Sequence, residues 1–235
     1  MWTRELLKNN AKAVLRRTYW RSFLVCLVAG LLTGRLLNLT SRLQADDLHG
    51  LLGLLAGLLG LVLGLAALAW SIFGVTALTV GWKRYMMESR LGNSPFDTLF
   101  SGFHIGYMNS VKVMVWYGVQ VFLYTLLLVV PGIIKSYEYC LVPYLLAENP
   151  YLEPRRALEL SKLMTDGEKW NIFVLQLSFI GWFILGSLAL GLGNLFVTPY
   201  YEAAFAELYA ALRAKAFSLG YTDEHELGGF VKHPL

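Results

Sequence analysis

The chain has 235 residues, of which 56% are hydrophobic and only 15% charged, and its mean hydropathy is +0.51; an ordinary soluble domain carries about 25% charged residues. A globule of 26.4 kDa cannot hide that excess of apolar side chains, because small domains leave much of their surface against solvent, so lipid must be the solvent for much of the chain. The net charge of +4 and the pI of 9.0 then point to anionic lipid headgroups rather than to nucleic acid.

Residues 1–19 form a polar lead in which Arg4, Lys8, Lys12 and Arg16 gather on one side of a helical wheel while Trp2, Leu6 and Ala13 point elsewhere, the pattern of an interfacial amphipathic helix. The long basic lead and the lack of a convincing small-residue cleavage site argue against a secretory signal peptide, so 20–39 is expected to be a retained first span. Residues 48–82 are apolar throughout, with small residues at Gly50, Gly53, Gly57, Gly60, Gly64, Ala67, Ser71 and Gly74. Their alternation of three and four reads as a helix-packing seam with an intramolecular partner; the competing reading is a Leu/Gly-rich stretch without register. At 1.5 Å per residue the run would extend about 50 Å, so it should tilt, project outward or break near Gly60 to Gly64, with a span near 56–82.

A second amphipathic helix is expected where Ser94 caps and Pro95 opens the stripe Phe96, Leu99, Phe100 and Phe103. The next span, 111–132, should end or kink at Pro131-Gly132, and 133–147 should return as one short helix. On it Lys135 and Glu138 stand at i, i+3 and can pair, lowering the cost of either near hydrocarbon. A third amphipathic helix opens at Glu153-Pro154, turns Ala157, Leu160 and Met164 inward and stops at Gly167. Spans near 171–192 and 195–212 follow, with Gly191, Gly193 and Asn194 at their turn, then Pro199 and Glu202, and a small-residue face at Ala206, Ala210 and Ala214. Residues 1–215 thus form a single integral membrane domain, and 216–235 read as a cytoplasmic polar tail in which Asp223-Glu224-His225-Glu226 is solvated rather than metal-binding.

Lys and Arg support this threading. Arg4, Lys8, Lys12, Arg16, Arg17, Arg21, Lys83, Arg84, Arg90, Lys112, Arg155, Arg156, Lys162, Lys169, Arg213, Lys215 and Lys232 fall on one side, and only Arg35, Arg42 and Lys135 on the other. Cytoplasmic loops carry the Lys/Arg excess, so both termini are expected in the cytoplasm of a bacterial inner membrane. The predicted fold class is all-α, a polytopic transmembrane helical bundle of about six spans in three hairpins, each hairpin preceded by a cytoplasmic amphipathic helix. Three like units imply a repeat about an axis along the membrane normal, unless any six-span chain with short inner loops has this form.

No catalytic constellation stands out. His49, His104, His225 and His233 are dispersed, HExxH and GxSxG are absent, and no glycine-rich loop ends in Lys-Ser/Thr. Cys26 and Cys140 lie in apolar runs without metal or disulfide spacing, so no metal and no cofactor is expected. Two readings remain: a membrane scaffold or accessory subunit, with a membrane protein partner or a second copy, or a transporter or channel for a small solute or lipid-related molecule. The second would place its site at the helix breaks and intramembrane charges, Pro131, Gly132, Lys135, Glu138, Pro199 and Glu202.

Three blocks, PGIIKSYEYCLVPYLLAENP at 131–150, EPRRALELSKLMTDGEKW at 153–170 and LSFIGWFILGSLALGLGNLFVTPYYEAAFAELY at 177–209, resemble the signature blocks of the DUF975 family of bacterial integral membrane proteins. RELLKNNAKAVLRRTYWRSF at 4–23 resembles that family's opening. The resemblance implies a multi-pass membrane protein of unknown function and hands over no catalytic or binding residues. A looser likeness links the Pro-Gly-Ile and Pro-Tyr blocks to membrane portions that accompany some glycerophosphodiester phosphodiesterases, but this chain has no room for that hydrolase.

Overall fold

The computed structural model describes residues 2–33, 51–92, 95–188 and 192–229, with side chains left out at 51–56 and 192. Among the described residues the chain is all helical, with no strand. Three helices, Gly57–Arg90, Tyr107–Leu127 and Lys169–Leu188, are long and apolar enough to cross a membrane. Gly50, Ser94, Gly191, residues 34–39 of the first expected span and 230–235 of the tail lie outside the described residues, as do the surroundings of Gly53.

Helix α1, Arg4–Leu32, begins where the Thr3 hydroxyl accepts a hydrogen bond from the Leu6 amide at 3.2 Å. The sequence divides this stretch into an interfacial helix and a span, but it is one helix. No Gly or Pro stands between Trp2 and Ala29, so nothing stops the i→i−4 ladder where polar residues give way to apolar ones. Its buried stripe is Leu7, Ala11, Leu15, Ser22, Val25, Cys26 and Ala29, which leaves the basic side chains facing out.

Helix α2, Leu51–Ala69, passes through Gly60 and Gly64 without a break. A π turn, Trp70–Gly74, then leads into α3, Val75–Arg90. Trp70 accounts for the irregularity: its indole Nε1 donates to the Leu32 carbonyl at 2.8 Å while its ring lies over Gly74, where a Cβ would sit 2.5 Å from the ring. Residues 57–71 are exposed throughout, whereas α3 is buried over most of its length, so the break expected as one alternative near Gly60 to Gly64 does not occur and α2 stands clear of the other described helices.

Pro95 opens a 3₁₀ turn, Phe96–Phe100, followed by α4, Ser101–His104. Leu99 is fully buried and Phe96 is exposed. This segment lies so close to α3 that a Cβ at Gly81 would collide with the Leu99 carbonyl, and one at Gly102 with that of Ala77.

Helix α5, Tyr107–Leu127, starts at Gly106, whose φ of +56° suits glycine. It ends at an extended Leu128, three residues before Pro131, because the proline ring clashes with the carbonyl four residues back and offers it no N–H. Pro131 then takes the third position of α6, Val129–Glu138, where an amide would have had no intrahelical partner. The expected single helix 133–147 is two helices, α6 and α7, Val142–Glu148, with a turn at 139–141. Pro143 breaks it by the same i−4 effect. Together they descend the full length of α5: Gly132 meets Thr125, the Tyr139 and Tyr117 rings lie 6.3 Å apart, and Asn109 Nδ2 donates to the Pro150 and Leu152 carbonyls at 2.8 Å.

Helix α8, Pro154–Thr165, buries Ala157, Leu160 and Met164 as its periodicity requires. Helix α9, Lys169–Leu188, and α10, Leu192–Ser218, form another antiparallel pair. Gly186 packs on Gly193 and Asn194, Phe179 meets Tyr200 and Tyr201 at 5.2 and 5.4 Å, and Lys215 reaches Glu168 at 3.1 Å. α10 runs through Pro199 without interruption and packs against α1, α3, α8 and α9. Every residue from Glu202 to Tyr209 is buried, and Ala203, Ala204 and Ala206 allow neighbours to close in on all sides.

These contacts separate two kinds of glycine. Gly81→Ala or Gly102→Ala must push α3 off the 96–104 segment, and each should lower unfolding stability by about 1–3 kcal/mol. Gly57→Ala and Gly64→Ala meet open space and should be neutral or raise helix stability by up to ~1 kcal/mol. Thermal unfolding of the four variants in one detergent measures the contrast.

Candidate functional site

A low-dielectric interior tolerates a carboxylate only when a cation and hydrogen bonds satisfy it. Four glutamates, Glu138, Glu148, Glu202 and Glu207, are 4–6% exposed, and each has such partners. Glu138, the last residue of α6, accepts from Lys135 Nζ at 2.6 Å and from Lys169 Nζ of α9 at 2.7 Å. Its main-chain carbonyl takes the Ser161 hydroxyl of α8 at 2.7 Å. Glu202 pairs with Lys83 of α3 at 2.5 Å, and that ammonium lies 5.0 Å from the Tyr144 ring centre. One and a half turns on, Glu207 is gripped by Arg90 through Nε at 2.6 Å and Nη2 at 3.2 Å. Glu148 of α7 accepts from Arg213 Nη2 of α10 at 2.8 Å, the Tyr209 hydroxyl at 2.6 Å and the Gly229 amide at 3.2 Å.

These pairs tie α3 to α10 twice, α6 to α9 and α7 to α10. Lys135 and Glu138 meet as their spacing requires, and Gly132 allows α6 to close on α5. Of the six residues singled out in the sequence, Lys135 and Glu138 pair with each other, whereas Glu202 pairs with Lys83 and Pro199 is a buried position inside α10. Arg90, Lys169 and Arg213 enter the sequence reading only through the threading, and Glu148 and Glu207 are not singled out there. The available signal was an acid inside an apolar stretch, as in LLAE ending at Glu148 and FAELY around Glu207.

The expected seam has no partner within the described chain. Gly57, Gly60 and Gly64 have nothing within 4 Å of a built Cβ, Ala67 and Ser71 are exposed, and Gly74 lies beneath Trp70. Among the described residues, neither Glu138 nor Glu202 lines any of five surface grooves of 400–670 Å³.

The stretch read as a solvated tail folds back on the bundle. α10 extends to Ser218, and beyond it Leu227 is fully buried while Glu226 pairs with Arg156 of α8 at 2.7 and 2.8 Å and accepts the Thr222 hydroxyl at 2.9 Å. Asn149 donates to the Glu226 carbonyl at 2.9 Å, and Arg213 donates to that of Leu227. The Arg156 guanidinium holds the Glu226 carboxyl below its ordinary value of 4.5.

A family profile described as a protein of unknown function (DUF975) matches residues 51–216. The chain belongs to the DUF975 family. The match takes in all four buried glutamates of this DUF975 chain and leaves α1 and the docked tail outside. No curated protein and no solved structure matches.

Glu148→Ala would strand Arg213, the Tyr209 hydroxyl and the Gly229 amide, and should cost about 3–5 kcal/mol; Glu148→Gln, which keeps an acceptor for Tyr209, should cost less. Denaturant or thermal unfolding in detergent reads both. For the tail, a depressed folded-state carboxyl stabilises docking fully above pH 4.5, and that contribution is lost as pH falls through the lower folded-state value. Hydrogen-exchange protection of 222–229, corrected for intrinsic rates, should therefore drop only in acid. Arg156→Gln should lower it already at neutral pH and flatten the acid dependence.

Proposed function

We propose that this protein is an organising or accessory subunit of a bacterial inner membrane, threaded as six passages in three hairpins, each entered from a cytoplasmic amphipathic helix, with both termini in the cytoplasm. The observation that carries the organising role is that the four buried glutamates are all neutralised by cations of the chain itself. The two carboxylates best suited to a solute path, Glu138 and Glu202, are each engaged by a cation on a neighbouring helix, and neither lines any of the five grooves described above. Outward, by contrast, the protein offers an unbroken apolar helix at 57–70, suited to lipid, a membrane protein partner or a second copy. The antiparallel course of α5 with α6 and α7, and of α9 with α10, supports the hairpin threading, as does the Lys/Arg bias.

For the role, extraction in mild detergent and native size separation should show the chain in a stoichiometric assembly larger than one copy in its micelle. Glu138→Gln and Glu202→Gln should lower stability while the folded fraction still assembles. A single-copy protein that moves a solute across reconstituted vesicles, and stops when either glutamate is changed, would establish transport instead. For the threading, Asn9→Cys, Leu91→Cys, Lys162→Cys and Glu224→Cys in a background lacking Cys26 and Cys140 should react with an impermeant maleimide only from the cytoplasmic side, and Ala45→Cys only from outside; the reverse pattern at any site overturns it.

A further inference from the structure

The described cations differ in whether a carboxylate holds them, and exposed Lys112, Arg155 and Lys162 are single unpaired cations on α5 and α8. Those on α3, α6, α9 and α10 are consumed by carboxylates: Lys83, Arg90, Lys135, Lys169, Arg213 and Lys215 all sit in ion pairs. On α1, Arg4, Lys8, Lys12, Arg16, Arg17 and Arg21 have no carboxylate partner among the described residues. Lys8 lies over the Phe179 ring at 4.7 Å and Lys12 over Tyr200 at 5.8 Å, while the three arginines beyond them meet no acceptor among the described residues. A helix carrying so much unneutralised charge beside hydrocarbon needs anions from outside the chain.

Those arginines surround a defined hollow. A groove of about 610 Å³ is lined by Lys12, Arg16, Arg17, Arg21, Trp20 and Tyr200, among others. It lies where α1 changes character: Arg21 is its last charge, and Ser22–Leu32 carries none. An apolar surface leads away from the groove in that direction. Trp20, Leu24 and Phe196 are 69%, 49% and 51% exposed, and the rings of Trp20, Phe23 and Phe196 touch in series at 6.0 and 5.1 Å. Guanidinium forks match phosphate oxygens two at a time, and amphipathic aromatics favour the depth of the headgroups. Cations at one end and an exposed aromatic and aliphatic track at the other complement a single amphiphile.

We propose that this groove is a binding site for an anionic phospholipid, with its phosphate among Arg16, Arg17 and Arg21 and an acyl chain along Trp20, Leu24 and Phe196. The site rests on the membrane residence proposed above and is independent of the organising role: a chain that proves to exist as a single copy would keep it. A free phosphate shares the polar half of the chemistry but has no use for the apolar track, so the probe must vary the two halves separately.

The test is titration of the full-length protein, purified in a neutral detergent, with dioctanoyl phosphatidylglycerol, dioctanoyl phosphatidylcholine, glycerol phosphate and inorganic phosphate, with binding followed by native mass spectrometry. Phosphatidylglycerol should bind most tightly, and the two water-soluble phosphates at least about tenfold more weakly, because they lack the buried chain. The combined change Arg16→Gln, Arg17→Gln and Arg21→Gln should weaken phosphatidylglycerol on the order of a hundredfold, at about 1 kcal/mol per cation. Lys112→Gln with Arg155→Gln and Lys162→Gln, a matched loss of three exposed cations on α5 and α8, should leave it unchanged. Equal affinity for phosphatidylcholine, unchanged binding by the triple variant, or glycerol phosphate binding as tightly as the lipid would each overturn the site. Should the triple variant not fold, the wild-type protein decides: raising salt from about 50 to about 500 mM must loosen phosphatidylglycerol through screening, and binding indifferent to salt refutes the proposal.

Discussion

The arrangement of this protein depends on neutralising carboxylates in places water does not reach. α10 could not lie at the centre of the bundle with Glu202 and Glu207 buried unless α3 presented Lys83 and Arg90 at matching heights. Once those pairs form, the helices that carry them are fixed in register, because sliding either one by a turn would leave two ions without partners at a cost of several kcal/mol each. Glu148 and Glu138 extend the same constraint to α7 and α6. Apolar packing supplies most of the driving force for burial, but it is indifferent to register. The ion pairs are what make one helix arrangement better than its neighbours, a role polar groups have in other packed helices.

Sequence reasoning recovers the class of the molecule and the position of most helices, because both follow from local rules. Apolar runs longer than soluble domains use, prolines at helix starts and the i, i+3 spacing of Lys135 and Glu138 all act over a few residues. It misplaces the ends of α5 and α6 because proline acts four residues upstream of itself and a second proline, Pro143, interrupts what looks like a continuous apolar segment. It divides α1 where composition changes, although the backbone has no reason to stop there. The ion-pair partners were out of reach for a different reason. Lys83 and Glu202 are 119 residues apart, and nothing in the composition around either says which cation faces which acid.

The glycine-rich run carries a related lesson. Small residues at regular spacing suggest a seam within the chain, yet Gly57, Gly60 and Gly64 face open surroundings, while glycines that admit a neighbouring backbone, Gly81, Gly102, Gly106, Gly132, Gly186 and Gly193 among them, lie outside that seam. Periodicity reports which residues share a face and is silent on whether anything meets that face. Polar residues are no simpler: sequence reads Asp223 to Glu226 as solvated, and Asp223, Glu224 and His225 are exposed, yet Arg156 and Asn149, 70 and 77 residues earlier, supply a dock for Glu226.

The long reach of the Lys83–Glu202 and Arg90–Glu207 pairs also bears on how the protein is made. At a synthesis rate of about 5–20 residues per second, α3 emerges roughly 6 to 24 seconds before the α10 carboxylates that match it. During that interval α3 carries two cations with no acidic helix beside them, a state that water or another anion has to shelter. Nascent chains of this protein should therefore spend longer in the care of the insertion machinery than their hydrophobicity alone would suggest, and release should coincide with the arrival of α10.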